Sequence, residues 1–153
     1  MKVVKFGGSS LANAEQFKKV ASIVLADKTR RYVIPSAPGR RFNGDIKVTD
    51  LLYRMASEAQ HGEDFSETLA QIKDRYNEII EGLELKDFSL DEQFAGIEAR
   101  MKKDPDPDFA ASRGEHLNGR IMAAYLGFEF VDPFEMVFFD EEGILDDRKT
   151  MRA

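Results

Sequence analysis

The sequence predicts an α/β fold, with a mostly parallel sheet and a helical middle segment, and three observations carry that expectation. Two short apolar runs, KVVKF at 2–6 and RYVIP at 31–35, are strand-like in length and composition. Between them lies a stretch of helical periodicity, and strand, helix, strand with a connection of this length is the βαβ unit of a parallel sheet. From residue 48 to 125 apolar side chains then recur at intervals of three and four, the spacing of amphipathic helices.

The first strand runs out into Gly7, Gly8, Ser9 and Ser10, with Lys5 just before them. Two glycines free the backbone to approach a ligand or take positive φ, and two hydroxyls follow, so this turn is either an ordinary strand-to-helix connection or a phosphate cradle. Asn13, with Gln16 three residues on, reads as a helix N-cap, and Phe17, Val20, Ile23 and Val24 continue it for about four turns. After the second strand, SAPGRRFNGD at 36–45 is rich in turn formers and basic residues. That places a loop at a strand's C-terminal end, where open α/β sheets bind ligands.

Val48, Leu51, Leu52 and Met55 form one helical stripe, and Leu69, Ile72, Tyr76, Ile79, Ile80 and Leu83 another. Asp64 with Glu67 and Ser89 with Glu92 read as capping boxes, and Leu90, Phe94, Ile97 and Met101 make a further stripe. DPDPD at 104–108 breaks that helix before a last one over 109–125. FEFVD at 128–132 is expected as a third strand, with strand-like pieces at 137–139. Three strands among so many helices make a sparse sheet, so the chain reads as a piece of something larger.

At 153 residues, 42% of them hydrophobic and 33% charged, the chain fits one domain with a real core. Its formal net charge of -6 argues against a general binder of nucleic acid or anionic membrane, without forbidding a basic pocket for a phosphorylated ligand. No cysteine is present, which excludes disulfides and thiolate metal sites, and two histidines cannot build a histidine-rich metal centre. The N-terminus lacks a signal-peptide pattern and no apolar segment approaches the roughly 20 residues a bilayer requires, so the expected location is the cytoplasm.

Neither G-x-x-x-x-G-K-[ST] nor G-x-G-x-x-G occurs; Asp45 stands where the first pattern needs lysine. A phosphate held here would use the Gly7 and Gly8 amides, the hydroxyls of Ser9 and Ser10 and the Lys5 cation, an arrangement suited to a transferring phosphoryl group. KFGGSS, SAPG after the second strand, KVTDLL at 47–52 and SRGE at 112–115, in that order and spacing, resemble the aspartate kinases of the amino acid kinase family. The resemblance runs from Met1 into FEFVD and implies the family's three-layer αβα fold, of which this chain would be the N-terminal lobe.

The resemblance also implies roles. Lys5, Phe6, Gly7, Gly8 and Ser9 would contact the ATP phosphates, with Lys5 neutralising the moving γ-phosphoryl, and Ser36, Thr49 and Glu115 would bind L-aspartate. A substrate with one amine and two carboxylates wants a fixed anion and several hydroxyl or N–H donors, which agrees with those residue types. Thr49 and Glu115 also have plainer readings, as a helix N-cap and a solvated charge, and Arg40 and Arg41 read as a solvated loop, with holding an anion as their second reading. Arg113 reads as an ion-pairing surface residue, His116 as helix packing and Asp132 as a turn residue.

The implied reaction is ATP- and Mg2+-dependent phosphorylation of the aspartate β-carboxylate, the first step towards lysine, threonine and methionine. The nucleotide pocket and ACT regulatory domains would lie in a part absent here, leaving the isolated chain inactive and its uncovered apolar sheet prone to form a homo-oligomer. The alternatives are a sibling kinase acting on another small acid and a non-catalytic amino-acid-binding or assembly module.

Overall fold

The computed structural model describes residues 1–152. Strand β1 (Lys2–Phe6) leads through a 3-10 turn (Gly8–Leu11) into helix α1 (Ala14–Leu25) and back to β2 (Arg30–Pro35). The two strands pair in parallel, with Val3 opposite Tyr32 and Lys5 opposite Ile34, so the βαβ unit forms as the spacing predicts. Four longer helices follow: α2 (Val48–Gln60), α3 (Ser66–Gly82), α4 (Asp91–Lys103) and α5 (Pro107–Leu126). A short helix, α6 (Asp147–Thr150), comes near the end.

The predicted stripes converge on one core. Phe17 of α1, Leu52 and Met55 of α2, Ile72 and Tyr76 of α3 and Phe94 of α4 are all almost completely buried in a single cluster. Val4 and Phe6 pack against it from β1, whereas the opposite sheet face carries Val3, Tyr32 and Ile34 at 65%, 52% and 48% exposure. Helices therefore cover one face of the sheet, and the other is open among the described residues.

Helix ends follow local chemistry. The Asn13 side chain accepts from the Gln16 amide at 3.0 Å, as expected. Asp64 and Ser89 do not form the expected boxes, because the N-cap positions of α3 and α4 belong to Phe65 and Leu90, apolar residues drawn into the core. Pushed one residue outward, Asp64 instead accepts from the Ser66 amide at 2.9 Å and Ser89 from the Asp91 amide at 3.0 Å. Asp106 caps α5 ahead of Pro107, and Gly127, at φ 66°, closes it in the left-handed conformation that glycine takes without strain.

The expected third strand does not form. After Gly127 the segment 128–132 makes no ladder; Phe130 lies edge-on to His116 with ring centroids 5.1 Å apart and beneath the Arg120 guanidinium at 5.2 Å. Side-chain packing onto α5 takes the place of strand pairing there. The pieces at 137–139 amount to one antiparallel bridge between Phe139 and Leu145, and the sheet among the described residues has two strands.

Tyr76 joins the core to what lies above it. Its hydroxyl donates to the Gly114 carbonyl at 2.8 Å, and burial, with the Glu115 charge nearby, holds the phenol well above its ordinary pKa, so it remains a donor. Replacing Tyr76 with Phe removes this hydrogen bond while the Gly114 carbonyl keeps its place in the α5 ladder, and urea unfolding is expected to show a loss of about 0.5–1.5 kcal/mol with an unchanged m-value.

Candidate active site

The two loops leaving the C-terminal ends of the strands are stitched together by backbone. The Ser36 amide donates to the Phe6 carbonyl at 3.0 Å, continuing the ladder, and the Gly39 amide donates to the Gly8 carbonyl at 2.8 Å. Neither glycine tolerates a side chain: a Cβ on Gly8 would stand 2.8 Å from the Ala37 oxygen, and one on Gly39 would stand 2.6 Å from the Gly8 carbonyl carbon. The obstacle is backbone in both cases, so it cannot rotate away. Glycine here permits close approach.

Helix α5 reaches the second loop from the other side. A Cβ on Gly114 would come within 2.7 Å of the Ala37 Cβ, so the glycine of SRGE lets the helix approach. One residue on, a Glu115 carboxylate oxygen accepts from the Ala37 amide at 3.3 Å, and a turn later the buried Asn118 side chain donates through Nδ2 to the Ser36 carbonyl at 2.6 Å. The Val48 amide, donating to Pro38 O at 3.2 Å, ties the start of α2 to the same loop.

These contacts enclose a cleft of about 430 Å³, lined by Gly8 and Ser9, the 36–40 segment, Lys47, Thr49 and Glu115. Three hydroxyls, one carboxylate and two cations thus face one space at the C-terminal ends of parallel strands. Glu115 has no ion-pair partner among the described residues, which leaves its charge free for a ligand. Thr49 is not a cap; Lys47 occupies the N-cap position of α2, and Thr49 lies within the first turn.

Of the residues singled out from sequence, Gly8, Ser9, Ser36, Thr49 and Glu115 come together, while Lys5, Phe6 and Gly7 stand outside the cleft lining. Phe6 packs against the core and Lys5 is exposed on the open sheet face beside Ile34. Arg40 and Lys47 also line the cleft; from sequence Arg40 carries an anion-holding role only as a second reading and Lys47 none, the legible hint being the basic character of the segment leading into α2. Arg41 is spent on ion pairs with Asp45 at 2.9 Å and Glu78 at 2.6 Å.

His116 lies outside the cleft, as its packing role predicts. Its Nδ1 is 3.3 Å from Asp132 Oδ2, but burial and the neighbouring Arg113 outweigh that anion and lower its pKa from the usual 6.5. Arg113 sits over the Phe109 ring at 4.7 Å and bonds Ser112, and Asp132 also accepts from the Phe134 amide at 3.0 Å. Among the described residues no group of three His, Asp or Glu side chains is placed to hold a metal, and no helix is long and apolar enough to cross a membrane.

This architecture, with its paired loops and the cleft between them, is that of a known family: the chain belongs to the amino acid kinase family, whose profile matches residues 1–148. Within it the similarity is to aspartate kinases. Aspartokinase 3 of Bacillus subtilis is 36% identical over 150 residues, covering 91% of this chain and 33% of that protein. The crystal structure of Clostridium acetobutylicum aspartate kinase superposes with a TM-score of 0.93 at 44% identity, over 98% of this chain and 34% of the other. E. coli aspartokinase III, in complex with aspartate and ADP, shares the fold at a TM-score of 0.76 and 22% identity, over 98% and 36%. The chain spans about a third of the length of these relatives.

The lowered His116 pKa has a sign that can be tested. The folded state binds the proton less readily than the unfolded one, so the stabilisation is complete above pH 6.5 and is lost as pH falls through the folded value. Melting midpoints measured from pH 8 down to pH 5 should fall below pH 6.5, and a His116→Gln variant should lack that part of the decline.

Proposed function

We propose that this chain is the N-terminal portion of the catalytic domain of an aspartate kinase, which transfers the γ-phosphoryl of ATP to the β-carboxylate of L-aspartate to give 4-phospho-L-aspartate. This would open the route to lysine, threonine and methionine. The observation that carries the reading is the meeting of Ser36, Thr49 and Glu115, remote in sequence, in one cleft that also takes in Gly8 and Ser9. The similarity to aspartate kinases over nearly the whole chain supports it.

In this reading Glu115 receives the substrate ammonium on the charge it does not spend on a protein cation. The Ser36 and Thr49 hydroxyls donate to carboxylate oxygens, and Lys47 and Arg40 add positive potential. The nucleophile is the substrate's own carboxylate, ionised at neutral pH, so the chain has no proton to remove and His116 no part to play. Gly8 and Ser9 face the phosphates, and Lys5, exposed on the open sheet face, supplies the cation for the moving phosphoryl group. Mg2+ bound with ATP would neutralise phosphate oxygens; the described residues offer it no carboxylate cluster.

The remaining part of the domain would supply the nucleotide pocket and cover the open sheet face, with ACT regulatory domains beyond it. Half a constellation positions only half of the reactants, so the isolated chain should be inactive. Trapping of acyl phosphate with hydroxylamine, using L-aspartate and Mg·ATP, should give product with the complete enzyme and none with residues 1–153. In the complete enzyme Glu115→Gln should raise the KM for aspartate roughly tenfold or more, as loss of a charged hydrogen bond does. Lys5→Met should lower kcat by about a hundredfold. Product from glutamate alone would point to a sibling kinase, and product from neither acid to a binding module.

A further inference from the structure

The loop between β2 and α2 is held by a side chain that the chemistry above leaves unused. Arg75 of α3 is only 5% exposed, although it carries a charge in the middle of an apolar stripe. Its Nη2 donates to the Gly39 carbonyl and its Nη1 to the Ile46 carbonyl, both at 2.7 Å, and Nη1 is 3.3 Å from Asp45 Oδ2. One guanidinium therefore grips both ends of the loop. Asp45 is itself fixed by the Arg41 amide and side chain, whose hydrogen bonds hold its carboxyl well below the usual range. Arg41 also reaches Glu78, one turn beyond Arg75 on the same helix.

The residue following the first gripped carbonyl is Arg40, and the residue following the second is Lys47; both line the cleft. We propose that Arg75 is the positioning residue of this cleft, setting through the two carbonyls it holds where Arg40 and Lys47 stand against the anionic groups of the amino-acid substrate. The proposal rests on the function given above. A planar fork that reaches two acceptors at once is a property of arginine and not of lysine, and a buried arginine held through both terminal nitrogens, its Nε alone lacking a partner, leaves little freedom for the loop. Gly39, the carbonyl held by Nη2, also donates its amide to Gly8, so the clamp bears on the contact between the loops as well.

The test uses Arg75→Met and Arg75→Lys in the complete enzyme, with three readouts: the melting curve, the KM for aspartate, and trypsin cleavage after Arg40 and Arg41. A positioning role predicts a folded protein with a cooperative melt, loop cleavage faster by about tenfold or more, and an aspartate KM raised between about tenfold and a hundredfold in both variants. Arg75→Lys keeps the charge without the fork, so it should not restore the KM; it also carries the test if the Met variant does not fold. A lowered melting midpoint with wild-type KM would overturn the proposal, and so would wild-type loop cleavage. A wild-type enzyme that does not act on aspartate would remove the functional reading, and trypsin cleavage would still decide whether Arg75 holds the loop.

Discussion

The structure turns on the place where two backbones meet. Gly8 and Gly39 come so close that a single methyl group on either would collide with the main chain of the opposite loop. That approach, sealed by the Gly39 amide on the Gly8 carbonyl, converts two separate strand-to-helix connections into two walls of one cleft. A parallel pair of strands brings its loops to the same end of the sheet but does not bring them into contact; the glycines do.

Everything around that contact holds it in place. Helix α5 presses against the second loop through Gly114 and binds it with Glu115 and Asn118, while Tyr76 anchors the same turn of α5 to the core. Arg75 secures the far side. The helical core is thus the support for a polar rim, and Glu115 shows the economy of the arrangement: one carboxylate oxygen orders the loop, and the net charge remains for a ligand. Hydrogen bonds between side chain and backbone keep the rim polar, with Arg75 Nε and Asn118 Oδ1 the buried atoms of these holding residues that lack a partner.

Much of this was legible in the sequence because it has a local cause. The βαβ unit, the apolar stripes and the Asn13 cap follow from periodicity and capping chemistry within a few residues, and glycine next to hydroxyls marked the first loop. The similarity of four short motifs to aspartate kinases then pointed to Ser36, Thr49 and Glu115, whose common cleft no spacing rule supplies. Features with a distant cause escaped. Segment 128–132 has the composition of a strand, but composition does not say whether a neighbouring edge is within reach, and Phe130 packs on α5 instead. Arg75 was hidden because a charge at a core position is read as an interruption of the stripe, whereas its partners lie in a loop about thirty residues earlier.

The contact between the loops is the foundation of the site, and hydrogen exchange at one amide tests it. The Gly39 N–H should exchange as slowly as the amides of β1 and β2, and more slowly still when L-aspartate is bound to the complete enzyme, since the ligand would bridge both walls. Exchange at the rate of an open loop, unaltered by aspartate, would mean that the walls move independently, and the cleft described here would not be the amino-acid site.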